Sequence, residues 1–303
     1  MPNIPHPIPY QGSKRLLAPT ILDIVPRGLV RRLFEPFAGS AAITIAAAHA
    51  NLAHAFVIGD TLAPLIELWR SILCAPDPLA EAYSQIWTGQ QPGDAGYYTR
   101  IRSEFNRTQD PAHLLYLLAR CVKNSPRWNR DGEFNQSEDK RRLGMRPSKM
   151  LREILGVYHL LHGKTQAIAG DFERVLADAQ PGDLVYLDPP WEGTSTGRDR
   201  RYHCGLGRDR LIAVLSDLNR RGVPWLLSYD GRCGDKSYGA PLPADLRAAR
   251  LELHAGRSSQ ATLNGVTAET VESLYVSASL VANVRQPVQR QQIIPNLAPS
   301  IDG

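Results

Sequence analysis

The stretch Leu184-Val185-Tyr186-Leu187-Asp188-Pro189-Pro190-Trp191 decides how this chain is read. Four apolar residues closed by a carboxylate and two prolines spell a short buried strand. Proline offers no amide hydrogen to a sheet and rigidifies the turn beyond it, so the strand stops at Asp188. The stop sets a carboxylate and an aromatic ring at the mouth of a sheet. Further apolar runs at 31–35, 54–59, 165–169, 223–228, 250–254 and 272–278 alternate with helical patterns and predict a doubly wound α/β sheet.

Such a mouth suits transfer to an exocyclic amine conjugated with an aromatic ring. The lone pair of that amine is delocalised into the base, and it becomes nucleophilic when acceptors engage both amino hydrogens. Asp188 supplies one acceptor and the Pro189 carbonyl a second, while Trp191 offers a face on which a flipped base stacks. Read without context, the same four residues also suit a capped turn after a strand.

The context lies in the N-terminal third. Arg32-Leu33-Phe34-Glu35-Pro36-Phe37-Ala38-Gly39-Ser40 leads into the alanine-rich stretch 41–50, a strand-loop-helix unit in which Gly39 lets backbone approach a ligand. The loop lacks the further glycines of a dinucleotide fingerprint and the Lys-Ser/Thr ending of a phosphate-binding loop, so a nucleoside carrying an amino acid fits it better than a polyphosphate. The run Ala55-Phe56-Val57-Ile58-Gly59 ends at Asp60, where an acidic side chain meets ribose hydroxyls or caps the next helix. Nearer the start, Tyr10-Gln11-Gly12-Ser13-Lys14 offers a tight turn and a cation for a carboxylate, ahead of a helical pattern through Leu16, Leu17, Ile21 and Ile24.

The net charge of +5 is unevenly spread. Between Arg120 and Arg152 stand ten Lys or Arg and four acidic residues, a net +6, so the rest of the chain is close to neutral. Trp128, Phe134, Asn129, Asn135 and Gln136 lie within this block, which joins phosphate-neutralising to base-reading side chains. Lys140, Arg141 and Arg142, without aromatic interleaving, are expected to grip phosphate. Arg127, Asn129 and Asn135 are expected to read base edges. Helical patterns at 64–74, 77–87, 95–107 and 111–123 precede the basic Gly-containing segment 124–147.

In order and spacing these motifs resemble the Dam-type, alpha-group, adenine-N6 DNA methyltransferases. The resemblance rests on PYQGSK at 9–14, FEPFAGSAA at 34–42, Asp60 after a strand, RWNRDGEFNQ at 127–136, Gly170-Asp171-Phe172 and LVYLDPPW at 184–191. It implies a Rossmann-like S-adenosylmethionine-dependent methyltransferase sheet carrying an inserted helical DNA-recognition domain. Residues 1–62 and 163–284 are then the catalytic part, 63–162 the recognition part, and 285–303 a flexible tail. Carried over, it puts Tyr10 and Lys14 at the amino-acid end of the methyl donor, Glu35, Pro36, Phe37, Ala38, Gly39 and Ser40 in its main loop, and Asp60 on its ribose. Asp171 holds the donor's adenine, and Asp188, Pro189, Pro190 and Trp191 bind the target base. Position 191 carries Trp where the family usually carries Tyr, an equally good stacking surface.

The expected activity is methylation of adenine N6 in double-stranded DNA, with no metal. A cytosine-N4 methyltransferase and a non-catalytic DNA-binding module on the same fold are the alternatives. A cognate restriction endonuclease is a possible functional partner. With 303 residues, 43% hydrophobic, the chain can bury a full core, and no apolar run reaches the roughly twenty residues of a membrane helix. A cytoplasmic protein is expected. Cys74, Cys121, Cys204 and Cys233 lack the paired spacing of a zinc site or a disulfide framework, and His203 beside Cys204 does not supply one. The polar segment from Gly193 to Gly207 follows Trp191 and is expected to close over the target strand.

Overall fold

The computed structural model describes residues 4–28, 30–91, 93–190, 207–233, 236–257 and 269–281. Eight strands form one sheet: β1 (Val30–Glu35), β2 (Ala53–Asp60), β3 (Thr165–Ala169), β4 (Leu184–Leu187), β5 (Trp225–Cys233), β6 (Lys236–Tyr238), β7 (Ala249–Arg257) and β8 (Glu269–Val276). Their order is β3-β2-β1-β4-β5-β8-β7, with β6 paired to β5. The first five strands in chain order are mutually parallel, and β7 and β8 close one edge antiparallel. Strand order reverses at β1, flanked by β2 on one side and β4 on the other, so the carboxyl ends of β1 and β4 open the crevice in which such sheets bind ligands.

The central strands are apolar on both faces because helices cover both. Alternate residues point to opposite sides. Leu33, Phe56, Ile58, Leu184, Tyr186 and Leu226 enter one core, and Phe34, Val57, Val185, Leu187, Trp225 and Leu227 the other. Of the helices, α1 (Ala18–Leu22), α2 (Ala42–His49), α3 (Ala63–Cys74), α4 (Pro76–Thr88), α5 (Tyr97–Thr108), α6 (Pro111–Arg120) and α7 (Pro147–Leu161) pack into the first core. The short α8 (Phe172–Leu176) and α9 (Arg208–Arg220) fill the second, and α10 (Ala278–Val281) follows β8. Leu65, Tyr83, Phe105, Leu115 and Ile154 of the inserted helices share one unbroken apolar core with the sheet. These helices are thereby packed into the same core as one face of the sheet.

Local chemistry explains several boundaries. The Asp110 carboxylate accepts from the amides of Ala112 (2.8 Å) and His113 (3.2 Å), and Pro111 opens α6. The pattern read as helix to 123 ends at Arg120, since Cys121 is extended (ψ 158°), and Lys123 and Asn124 beyond it take left-handed φ of 58° and 51°. Strand β5 runs past the expected 228 to Cys233 through an irregularity between Ser228 and Gly231. Helices α7 to α10 lie outside the expected helical patterns; α8 and α10 are too short to carry one, whereas Met150, Ile154, Val157 and Leu161 of α7 and Leu211, Leu215 and Leu218 of α9 do recur at helical spacing. No described helix is long and apolar enough to cross a membrane.

Candidate active site

Asp188 stands one residue beyond β4, at the point where the prolines forbid further pairing. Its Oδ1 lies 3.1 Å from Nζ of Lys14, and the same ammonium lies 3.0 Å from Oε2 of Glu272 on β8. Lys14 is buried, and burial works against its charge. Asp188 and then Glu272 outweigh that penalty and raise the amine above its ordinary value. Burial pushes Asp188 up to about 6; Lys14 opposes the rise and Glu272 adds to it. Behind the site the Tyr186 hydroxyl and Ser228 Oγ are 3.0 Å apart in the sheet interior.

The loop after β1 is fixed from several sides. Gly39 takes φ +47°, its amide donates to Asp60 Oδ2 (3.2 Å), and its carbonyl accepts from Trp69 Nε1 (3.0 Å). Asp60 Oδ1 accepts from the Leu62 amide at 3.0 Å, so this carboxylate both turns the chain after β2 and holds the Gly39 loop. Desolvation raises Asp60, against the backbone amides that favour its charge. Glu35, buried at the end of β1, accepts from the Thr44 amide (2.8 Å) and so caps α2 across the loop. Its burial lifts it to about 7, with the Asp188 charge a smaller contribution in the same direction. Ser40 Oγ meets Ser13 Oγ at 2.8 Å, tying this loop to the segment that carries Tyr10 and Lys14.

Phe37 stacks on Phe172 with ring centroids 5.4 Å apart. Asp171 caps α8 through the Glu173 amide (3.0 Å) and pairs with Arg210 (3.1 Å), whose guanidinium lies over the Phe172 ring. Tyr10, Lys14, Glu35 to Ser40, Asp60, Asp171, Asp188, Pro189 and Pro190 thus come from separate stretches of chain to one edge of the sheet. Trp191 and residues 193–206, with His203 and Cys204, lie outside the described residues. Residues 285–303 also lie outside them. Among the described residues no group of three His, Cys, Asp or Glu is arranged to hold a metal ion.

The basic segment contains a small hairpin in which Trp128 bridges Phe134 and both pack on Phe105. Asn129 is spent on the turn: Oδ1 accepts from the amides of Asp131 (3.0 Å) and Glu133 (2.9 Å), and Nδ2 donates to Glu133 (2.7 Å). The Arg127 and Asn135 side chains are exposed on its strands. Arg141 and Arg142 both bind Asp139, at 2.9 Å and 3.0 Å, and the Arg141 hydrogen bond leads in pulling that carboxyl down. Arg142 also donates to Asn124 Oδ1 (3.2 Å) and the Cys121 carbonyl (3.1 Å). Buried Arg120 donates to the carbonyls of Asp139 (2.8 Å) and Arg142 and to Glu138 (3.0 Å). Much of the positive charge therefore organises the segment itself, and Lys140 is left exposed beside it.

Residues 10–281 match the family of D12 class N6 adenine-specific DNA methyltransferases. The chain belongs to this family. Among its relatives, the DNA N-6-adenine-methyltransferase of Escherichia phage P1 is 28% identical over 239 residues, 73% of this chain and 29% of that longer protein. The retron Ec67 DNA adenine methylase of Escherichia coli is 26% identical over 232 residues, 72% of this chain and 75% of the relative. The type II methyltransferase M1.LlaDCHI of Lactococcus lactis subsp. cremoris is 28% identical over 232 residues, 72% of this chain and 78% of the relative. A D12 methyltransferase acts on adenine N6, and membership decides against the cytosine-N4 alternative, which the side chains alone left open. The sequence reading missed Glu272, Trp69 and Arg210, which hold Lys14, the Gly39 loop and Asp171; an acid inside the last apolar strand was the one visible signal among them.

Proposed function

We propose that this chain transfers a methyl group from S-adenosylmethionine to N6 of adenine in double-stranded DNA, with the base flipped out of the duplex. The observation that carries this reading is Asp188, held by Lys14 at the carboxyl end of β4 beside the Gly39 loop. The donor supplies an electrophilic methyl group on a sulfonium. Several features fit it: backbone approach at Gly39, the Phe37–Phe172 stack, carboxylates at Asp60 and Asp171, and the surplus of acid over base around Lys14, which favours a cation. Tyr10, Lys14 and the segment from Glu35 to Ser40 belong to the donor side in this reading.

Asp188 and the Pro189 carbonyl accept the two amino hydrogens and free the nitrogen lone pair. The nitrogen then forms its bond to the methyl carbon as the carbon–sulfur bond breaks, and N6 releases one proton, for which the Asp188 carboxylate is the nearest acceptor. Pro190 fixes the turn, and Trp191 stacks on the base. Residues 1–62 and 163–284 act as the catalytic part and 63–162 as the recognition part, where Arg127 and Asn135 read base edges, Asn129 shapes the turn between them, and Lys140 and the outer edges of Arg141 and Arg142 meet phosphate. The type II name of the lactococcal relative supports a cognate restriction endonuclease as functional partner, and a DNA substrate supports a cytoplasmic site of action.

Incubation with tritiated S-adenosylmethionine and mixed-sequence duplex DNA, followed by nucleoside analysis, tests the reading. Label in N6-methyladenine is expected. Label in N4-methylcytosine, or none from a folded donor-binding protein, would overturn it.

A further inference from the structure

Glu272 contributes only its share of the acidic surplus to the scheme above and has no step of its own there, yet it sits against the centre. It projects from β8 at the place where Gly231 of β5 is its cross-strand partner, just past the irregularity after Ser228. The side chain is largely buried, and its Oε2 is 3.0 Å from Lys14 Nζ, which is itself 3.1 Å from Asp188. Burying a second carboxylate against one ammonium is costly unless it is held for a reason. A lysine facing Asp188 alone would commit its charge and hydrogens to that carboxylate and compete with the substrate amine for the same oxygens. A lysine divided between two carboxylates fixes Asp188 in place and neutralises it less.

We propose that Glu272 is a positioning residue for methyl transfer: by sharing Lys14 it holds Asp188 in place while leaving that carboxylate a strong acceptor for the target amine. The inference rests on the reading of Asp188 given above. Among the described residues, the ionisable groups facing Asp188 are Lys14 from the N-terminal segment, Glu272 from β8, Glu35 from β1 and Tyr186 from β4. Removing the Glu272 charge lowers the Asp188 pKa, because that charge raises it at present.

The test is the pH profile of single-turnover methylation with saturating S-adenosylmethionine and DNA, in wild type and Glu272→Gln, with donor affinity measured by calorimetry on the same samples. Glu272→Gln is expected to retain donor binding within severalfold, to lose about tenfold or more in transfer rate, and to move the acid limb down by roughly one pH unit. Glu272→Asp, which keeps the charge, should return the limb toward its wild-type position. A donor-binding Glu272→Gln enzyme with an unmoved limb and wild-type rate would overturn the inference. If Glu272→Gln and Glu272→Ala both lose donor binding and fold, a residue confined to positioning is likewise excluded. Wild-type turnover in Asp188→Asn would instead sink the underlying reading, so the two failures are distinguishable.

Discussion

Lys14 Nζ lies 3.1 Å from Asp188 Oδ1, joining the first turn of the chain to the end of the central strand β4. The pair makes the acceptor part of a charge cluster, and its ionisation therefore sets the working pH. Burial holds Asp188 near 6, and in the proposed reaction the ionised form is the acceptor. Transfer should be full above that value and fall about tenfold per pH unit below it, with a midpoint near pH 6. A single-turnover profile flat down to pH 4.5 would show that Asp188 does not need its charge.

Gly39→Val should weaken donor binding. The backbone at position 39 has φ +47°, a region in which a β-branched residue is strained by about 1–2 kcal/mol, and a Cβ there already touches the Tyr10 ring at 3.4 Å. The effect is a re-aimed loop carbonyl and amide, and calorimetry should read a donor affinity reduced roughly tenfold in a protein that still folds. Unchanged affinity would remove this loop from the donor pocket.

Glu35→Gln should stabilise the fold in a pH-dependent way. The carboxyl is raised from 4.5 to about 7 by burial, so its contribution favours the folded state below 4.5 and is lost as pH rises through 7. Above that the wild type carries a buried charge that Gln lacks, while Gln still accepts from the Thr44 amide. The gain of the variant over wild type should grow with pH by at most roughly 3 kcal/mol, seen in urea unfolding at pH 5 and pH 8.5. A difference independent of pH would mean that Glu35 is not buried as a charge.

Lys140→Ala and Arg142→Ala should separate gripping from scaffolding. Lys140 is exposed, so its loss should lower the slope of log affinity against log salt by about 0.9 and leave the melting temperature unchanged. Arg142 binds Asp139, Asn124 and the Cys121 carbonyl, and its loss should lower thermal stability as well as DNA binding. Identical effects of the two variants on melting and on salt slope would contradict this division.

The sheet was legible because both-face burial leaves nearly continuous apolar runs, and all seven expected strands fall on observed ones; β6, three residues long, has no such signature. The turn after β1 and the end of β4 were legible because glycine permits a left-handed backbone at position 39 and the prolines at 189 and 190 forbid further strand pairing. What the sequence concealed is pairing over distance. Nothing local marks Glu272 as the second partner of Lys14, and composition alone cannot tell Arg141 and Arg142, engaged by Asp139, from Lys140 beside them. Asn129 looked like a base reader because its amide suits one, but the tight turn at Gly132 claims both ends of that side chain.

Replacement of Asp188 bears most directly on the central claim that this carboxylate acts on the target amine. Asp188→Ala, assayed with tritiated S-adenosylmethionine on duplex DNA and by calorimetry for the donor, should lose methyl transfer by about a thousandfold or more while donor affinity stays within severalfold. A variant that keeps near-native turnover, or one that loses donor binding in proportion to its activity, would contradict the account.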